Sequence, residues 1–230
     1  MVEKFKLFYI CSICILGLIG GCAKWNVAPK ISAETIVNNS IETINRFRQH
    51  KDLKQFDRYL GDSYAVIIFP EVVKAGFFYG GEAGNGVLLK QTSPGRWSAP
   101  SFVTLGAASF GLQVGIQETA IILIVRNKGA LQSVLNHQGK LGADTGASMG
   151  LWGVGMEASV TSNLDADIFA FANANVGAYL GLSLEGAIIA RRNDLNESVY
   201  GKGATPDKIL SGAYDNTNHD LLRKVLGKRE

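Results

Sequence analysis

At 230 residues, with 27 glycines, three cysteines and a formal net charge of +3, the chain can bury one good core and is too weakly charged to argue for a nucleic-acid partner. Glycine stands at about 12% against a usual ~7%, with no collagen period, which excludes a fibrous protein and points to bends in a β-rich fold. The mildly basic balance is compatible with an anionic surface without specifying one.

Residues 1–21 read as a leader. Lys4 and Lys6 form a positive start, and Leu7 to Ile19 is an apolar run of 13 residues, too short to cross a hydrocarbon core of ~30 Å as a helix. Ile19-Gly20-Gly21-Cys22 follows. Small residues before a cysteine resemble the bacterial lipobox, whose cysteine is diacylated and becomes the new N-terminus; a plain secretory signal or an anchor helix is the alternative. Cys11 and Cys14 leave with the leader, so Cys22 is the only mature cysteine and no disulfide is available within one mature chain. The expectation is a diacylglycerol and a fatty acid on Cys22, several acyl chains giving a stable anchor. Ala23, where aspartate favours inner-membrane retention in Gram-negative bacteria, points to the periplasmic face of the outer membrane. Residues 22–32 then read as a tether, 33–212 as one domain and 213–230 as a C-terminal helix and tail.

Ser32 is the expected N-cap of a first helix, with Ile36, Val37, Ile41, Ile44 and Phe47 on its apolar side and Arg46 and Arg48 among its outward residues. A second short helix is expected from Leu53 to Leu60. Arg46, Arg48, Lys51, Lys54 and Arg58 form a basic cluster across the two, either a solvated helix face or a membrane-facing patch. Tyr64 to Phe69 reads as a buried strand closed by Pro70.

Lys74 to Gly115 holds nine glycines and eleven aromatic or β-branched residues in 42 positions. A helix does not tolerate this, since each interior Gly costs roughly 1 kcal/mol relative to Ala. Pleated strands with bends and bulges do. Ser93-Pro94-Gly95 marks a turn, and Ser101 to Ile116 alternates as one strand. Ala120 to Val125 reads as a second fully buried strand, and Asn127 to Gln138 as a helix with Leu131, Val134 and Leu135 inward. Leu164 to Gly186 alternates with period two, which predicts a hairpin turning at Asn173 to Gly177 with one buried, alanine-rich face. A loop with a short helix start follows Arg191-Arg192, and Asn218 to Leu226 closes the chain as a small amphipathic helix. The fold class expected is α+β: a curved antiparallel sheet or small closed β-barrel of about 8–10 strands, with N-terminal helices, one mid-chain helix and a short C-terminal helix.

Enzymatic chemistry finds little support. His50, His137 and His219 lie at helix ends or in polar tails without metal spacing. Gly146-Ala147-Ser148-Met149-Gly150 spells a nucleophile elbow without the strand-turn-helix context it needs. Gly153-x-Gly155-x-x-Ala158 matches a dinucleotide fingerprint without a βαβ unit. Asp165, Asp167 and Glu157 offer too few oxygens for a hard cation. No cofactor, metal or nucleic acid is expected.

The run Phe69-Pro70, Lys74-Ala75-Gly76, Gly80-Gly81, Gly84, Gly86-Val87, Trp97-Ser98-x-Pro100 and Gly111-Leu112-Gln113-x-Gly115 resembles the SYLF lipid-binding domain, and the resemblance extends over roughly Val37 to Gly212. It includes Leu141-Gly142-Ala143-Asp144, a Leu184-Glu185-Gly186 strand end, and Asn196, Tyr200-Gly201 and Ile209-Leu210. Eukaryotic members bind phosphoinositides, and some bind actin filaments. This chain lacks the SH3 or FYVE partner domains of that pattern, and what the resemblance implies is affinity for anionic phospholipid or an acyl chain. Head-group contacts are expected from Lys74, Lys90, Arg96, Arg191 and Arg192, and apolar or interfacial contacts from Phe77, Phe78, Tyr79 and Trp97, for which core packing is the alternative. Two other readings stand beside it: an envelope scaffold that meets lipid only through its anchor, and a hydrolase using Ser148.

Overall fold

The computed structural model describes residues 28–76, 79–110, 115–136, 149–153, 166–173, 184, 186–214 and 220–228. The leader, Cys22, Phe77, Phe78, His137, Ser148, Asp165, residues 174–177 of the predicted hairpin turn and His219 lie outside them. In chain order the helices are α1 (Pro29–Gln49), α2 (Phe56–Gly61), α3 (Lys128–Asn136), α4 (Asn193–Tyr200), α5 (Pro206–Leu210) and α6 (Asp220–Gly227). The strands are β1 (Ala65–Gly76), β2 (Tyr79–Ser93), β3 (Arg96–Trp97), β4 (Ser101–Phe110), β5 (Gly115–Val125), β6 (Met149–Gly153), β7 (Ile168–Ala172) and β8 (Ile188–Arg191).

One curved sheet runs β6-β7-β5-β1-β2-β4-β8, with β3 paired to β2 off this path. The fold is the expected α+β, but the sheet is open and not a closed barrel: β6 and β8 stand at opposite ends of the path. Neighbours on the path are antiparallel except β6 and β7, which run parallel. Curvature shows in one contact. Arg191 on β8 donates to the Leu135 carbonyl of α3, the helix that follows β5, at 2.9 Å. Those strands are four spacings apart on the path, roughly 19 Å if flat, whereas α3 is only about 14 Å long. The sheet therefore curls over α3.

Both faces of the sheet are buried. Val66, Ile68, Val87, Leu89, Phe102, Ile122, Ile124, Phe169 and Phe171 meet α1, α2, α4 and α6 on one face. Ala65, Ile67, Phe69, Leu88, Val103, Leu105, Ile121, Leu123 and Val125 meet α3, Leu184 and Leu210 on the other. Two-sided burial corrects the reading of β7. Its alternation predicted one buried face, yet all five of its residues are buried, because Phe56 and Tyr59 of α2 cover Phe169 and Phe171. The second arm of the predicted hairpin lies almost wholly outside the described residues, and the strand that follows it, β8, pairs with β4.

Pro70 does not end the first strand. β1 runs through it, and the register with β2 slips so that Phe69 and Pro70 oppose Gly86 alone. The register with β5 shifts at the same place. A bulge interrupts the ladder where proline has no N–H to give, so proline is tolerated in a central strand. The extra residue also changes parity, and Val72 joins the same face as Ala65, Ile67 and Phe69. Opposite the bulge the backbones crowd together. A Cβ on Gly86 would overlap the Ile68 carbonyl, and one on Gly84 would lie 2.5 Å from the Glu71 carbonyl.

Three further boundaries differ from expectation. α1 starts at Pro29 rather than after Ser32, with no side-chain cap, because proline at the first position has its φ pre-set and loses no bonded N–H. Ser101 to Ile116 is not one strand, since Gly115 and Ile116 already belong to β5, across β1 and β2 from β4. Residues 193–200, read as loop, form α4.

Candidate functional site

The arrangement begins with Arg48. Sequence periodicity put it on the outer side of α1, but its side chain is only 5% exposed and its guanidinium joins three helices. Nε donates to Asp57 of α2 at 2.7 Å, Nη1 to the Val225 carbonyl and Nη2 to the Lys228 carbonyl, each at 2.7 Å. The last carbonyls of a helix lack intrahelical donors and carry the negative end of its dipole. A planar fork with several donors meets them and a carboxylate together. Arg48 thereby fixes the C-terminus of α6 against α1 and α2.

A second tie is a backbone contact. Gly95, at φ +73° in the β2–β3 turn, brings its carbonyl so close to Gly227 that a Cβ there would overlap it. The last turn of α6 is thus held both by Arg48 and by the β2–β3 turn. The buried side of α6 is Leu222, Val225 and Leu226. Between its remaining side and β3 lies a groove of about 690 Å³, lined by Gly95, Arg96, Trp97, Asp220, Arg223, Lys224, Gly227 and Lys228. Arg223 pairs with Asp220 within it. Trp97 is 5% exposed, and its indole N–H is buried without an acceptor among the described residues.

Charge concentrates here. Residues 46–62, 95–97 and 220–228 carry nine Lys or Arg side chains against four carboxylates, an excess larger than the net charge of the whole chain. Arg46, Lys51, Lys54 and Arg58 are exposed, as are Arg96, Lys224 and Lys228. Of the expected N-terminal cluster, Arg48 is a buried link to α6 rather than a member of the surface. The α6 cations were missed in the sequence. Their signal was the spacing Asp220, Arg223, Lys224, Gly227, Lys228, one polar stripe of a helix.

The other predicted contacts are scattered. Lys74 forms a largely buried ion pair with Glu82 at 3.1 Å. From Glu82 to Ser93, the partner of Arg96, β2 extends roughly 36 Å at ~3.3 Å per residue, so Lys74 and Arg96 occupy opposite ends of the sheet. Lys90 lies over the Tyr64 ring, 5.4 Å from its centroid. Arg191 bonds Leu135, and Arg192 bonds Asp194 and Asn85, so both are engaged by the protein at β8. The neighbouring carboxylate holds Arg192 above its ordinary pKa and Arg192 holds Asp194 below the usual carboxylate range, in each case mainly through their hydrogen bond. Tyr79 opens β2, next to Phe77 and Phe78 outside the described residues. Trp97 packs under α6 instead of standing at the rim. Among the described residues there is no cluster of His, Cys, Asp and Glu able to hold a metal ion, and Asp167 accepts from Asn127 at 2.6 Å. A second groove of about 310 Å³ between α1 and the β1–β2 bulge has Glu71 as its only charged lining residue, which does not favour an anion. No described helix is long and apolar enough to cross a membrane.

Residues 106–229 match a family model described as Ysc84, Las17-binding protein actin regulator. The chain is 34% identical over 144 residues to LAS seventeen-binding protein 3 of Saccharomyces cerevisiae, covering 61% of this chain and 31% of that protein. Protein YSC84 of the same yeast is 33% identical over 144 residues, with the same two shares. SH3 domain-containing YSC84-like protein 1 of Mus musculus is 28% identical over 142 residues, 61% of this chain and 42% of the relative. The chain thus spans about a third of the yeast relatives and less than half of the mouse one.

Proposed function

We propose, from the premise that this chain belongs to the Ysc84 (SYLF) family, that it is a non-enzymatic lipid-binding protein that meets anionic phospholipid through the basic surface around Arg48. The observation that carries this reading is the groove lined by Arg96, Arg223, Lys224 and Lys228, which the Arg48 fork ties to Asp57, next in the chain to exposed Arg58. A juxtamembrane cation near an anionic leaflet contributes ~1 kcal/mol each, so several on one surface give useful affinity. In the same reading Cys22 carries diacylglycerol and a fatty acid, and the domain works at the periplasmic face of a bacterial outer membrane. Mass spectrometry of the mature N-terminus tests the anchor; an unmodified Cys22 would remove it.

Vesicle flotation of the full chain tests lipid binding itself. Any anchor contributes equally to all vesicles. The reading predicts extra partition into phosphatidylcholine vesicles containing phosphatidylglycerol over phosphatidylcholine alone, and loss of that excess as salt rises. Equal partition at low salt would overturn it.

A second reading, an envelope protein-interaction module, is favoured by the family description and by the name of one yeast relative, both of which describe binding to a protein. Pull-down of the full chain from envelope extracts separates the two: a stoichiometric protein partner without co-purifying lipid favours this one.

A further inference from the structure

We propose that the groove between β3 and α6 binds the phosphate of an anionic phospholipid head group; this rests on the lipid-binding reading above. Asp220, Arg223, Lys224, Gly227 and Lys228 recur at i, i+3, i+4, i+7 and i+8 and so form one stripe of α6, with Leu222, Val225 and Leu226 turned to the core. Arg96 and Trp97 of β3 form the facing wall. Four cations and one carboxylate therefore line about 690 Å³. Arg223 takes up the carboxylate of Asp220, and Arg96, Lys224 and Lys228 supply the remaining charge.

The Gly95 carbonyl, packed on Gly227 at the end of α6, is an acceptor and offers a phosphate nothing, so the donors come from the side chains. The Trp97 indole N–H, buried in the wall without an acceptor among the described residues, is a donor whose missing partner is an acceptor such as a phosphate oxygen. The source is a lipid rather than a free ion because Arg48 ties the groove to α1 and α2. One guanidinium thus joins Lys228 of the groove to Asp57, next in the chain to exposed Arg58. A solitary phosphate needs only the groove, whereas a bilayer presents negative charge to the whole surface.

The test uses the full chain with Trp25 and Trp152 changed to Phe, which leaves Trp97 as the only tryptophan. Its emission is followed against phosphatidylcholine vesicles containing phosphatidic acid, phosphatidylcholine vesicles alone, and inorganic phosphate, with flotation in parallel. A saturable change with phosphatidic acid vesicles only is expected. Arg96→Glu with Lys224→Glu should weaken the response about tenfold or more, at ~1 kcal/mol per surface cation, and Lys51→Glu with Lys54→Glu should weaken it less. Equal weakening by the two pairs would mean diffuse attraction and overturn the groove. An unchanged Trp97 signal while flotation still shows anionic preference would also overturn it and leave the lipid-binding reading standing. A comparable change with inorganic phosphate would overturn the lipid source. No anionic preference in any flotation would remove the underlying reading and this site with it. Where the double reversal fails to fold, the Trp97 response of the unreversed chain decides.

Discussion

The side-chain amide of Asn196 holds the backbone of Phe102 by both polar groups: Oδ1 accepts from the Phe102 N–H at 2.8 Å, and Nδ2 donates to its carbonyl at 3.2 Å. Both residues are fully buried. β8 pairs with β4 from Val103 onward, and the Arg192 N–H reaches the Phe102 carbonyl at 3.1 Å, so Asn196 continues the ladder where β8 runs out. Asn196→Leu preserves bulk and strips both bonds from the buried Phe102 backbone. The expected loss is about 1–3 kcal/mol, read as a lower denaturation midpoint at an unchanged slope. A variant as stable as the parent would show that this amide does not secure the edge of β4.

Arg48 makes a second prediction. Arg48→Met keeps most of the aliphatic stem and deletes a carboxylate partner and two helix-end partners. Hydrogen bonds from a charged group contribute about 1.5–3 kcal/mol, and Asp57 is 27% exposed and can rehydrate, so a loss of about 2–3 kcal/mol is expected. Amide exchange should rise first in α6, whose last carbonyls lose their donors. Arg48→Lys should rescue only part, because an ammonium cannot present a planar fork. Full rescue by lysine would reduce the contact to simple charge.

These two residues also show where the sequence was legible. Strand β5, the helix at 128–136, the Pro94-Gly95 turn and the glycine-rich bends follow from periodicity and turn chemistry, which are local. Asn196 and Arg48 were not legible, because their roles depend on partners 94 and about 180 residues away. α4 was read as loop for the same reason: only Leu195 and Val199 repeat at helical spacing, and the third buried position is an asparagine whose polar atoms are satisfied by a distant strand. The barrel expectation failed because curvature says nothing about closure; with β8 only four residues long and β6 parallel to β7, the ends of the sheet do not pair. Of the site, the β3 and α6 cations meet each other only through tertiary contacts, which the sequence does not display.

Two glycines form a matched pair. Gly86 faces the bulge, where a Cβ would overlap the Ile68 carbonyl and stand 2.6 Å from the Phe69 ring, whereas nothing lies within 4 Å of a Cβ on Gly106. Backbone cannot yield as a flexible side chain can, so Gly86→Ala should cost about 1–3 kcal/mol or more. Gly106→Ala, by restricting the unfolded chain, should be neutral or stabilising by about 0.4–1 kcal/mol. Chemical denaturation of both variants checks the pair. Equal effects would mean that the bulge relaxes and that Gly86 is not required by its close approach.

Tyr200 predicts an alkaline signature. Its hydroxyl donates to the Pro100 carbonyl at 2.7 Å, and burial pushes its phenol pKa upward, an effect that Arg223 only partly opposes. The folded state therefore favours the protonated phenol more than the unfolded state does. Stability from this residue is fully present below the unfolded value of ~10 and declines as pH rises from there toward the higher folded value. Tyr200→Phe loses the hydrogen bond, about 0.5–1.5 kcal/mol, but has no proton to give up. The variant should be the less stable at neutral pH, and the gap should close above pH ~10. Denaturation midpoints of the two proteins across that range measure it. A gap that stays constant through the alkaline range would show that the folded Tyr200 ionises as readily as an unfolded one, and would place its ring in water rather than against Pro100.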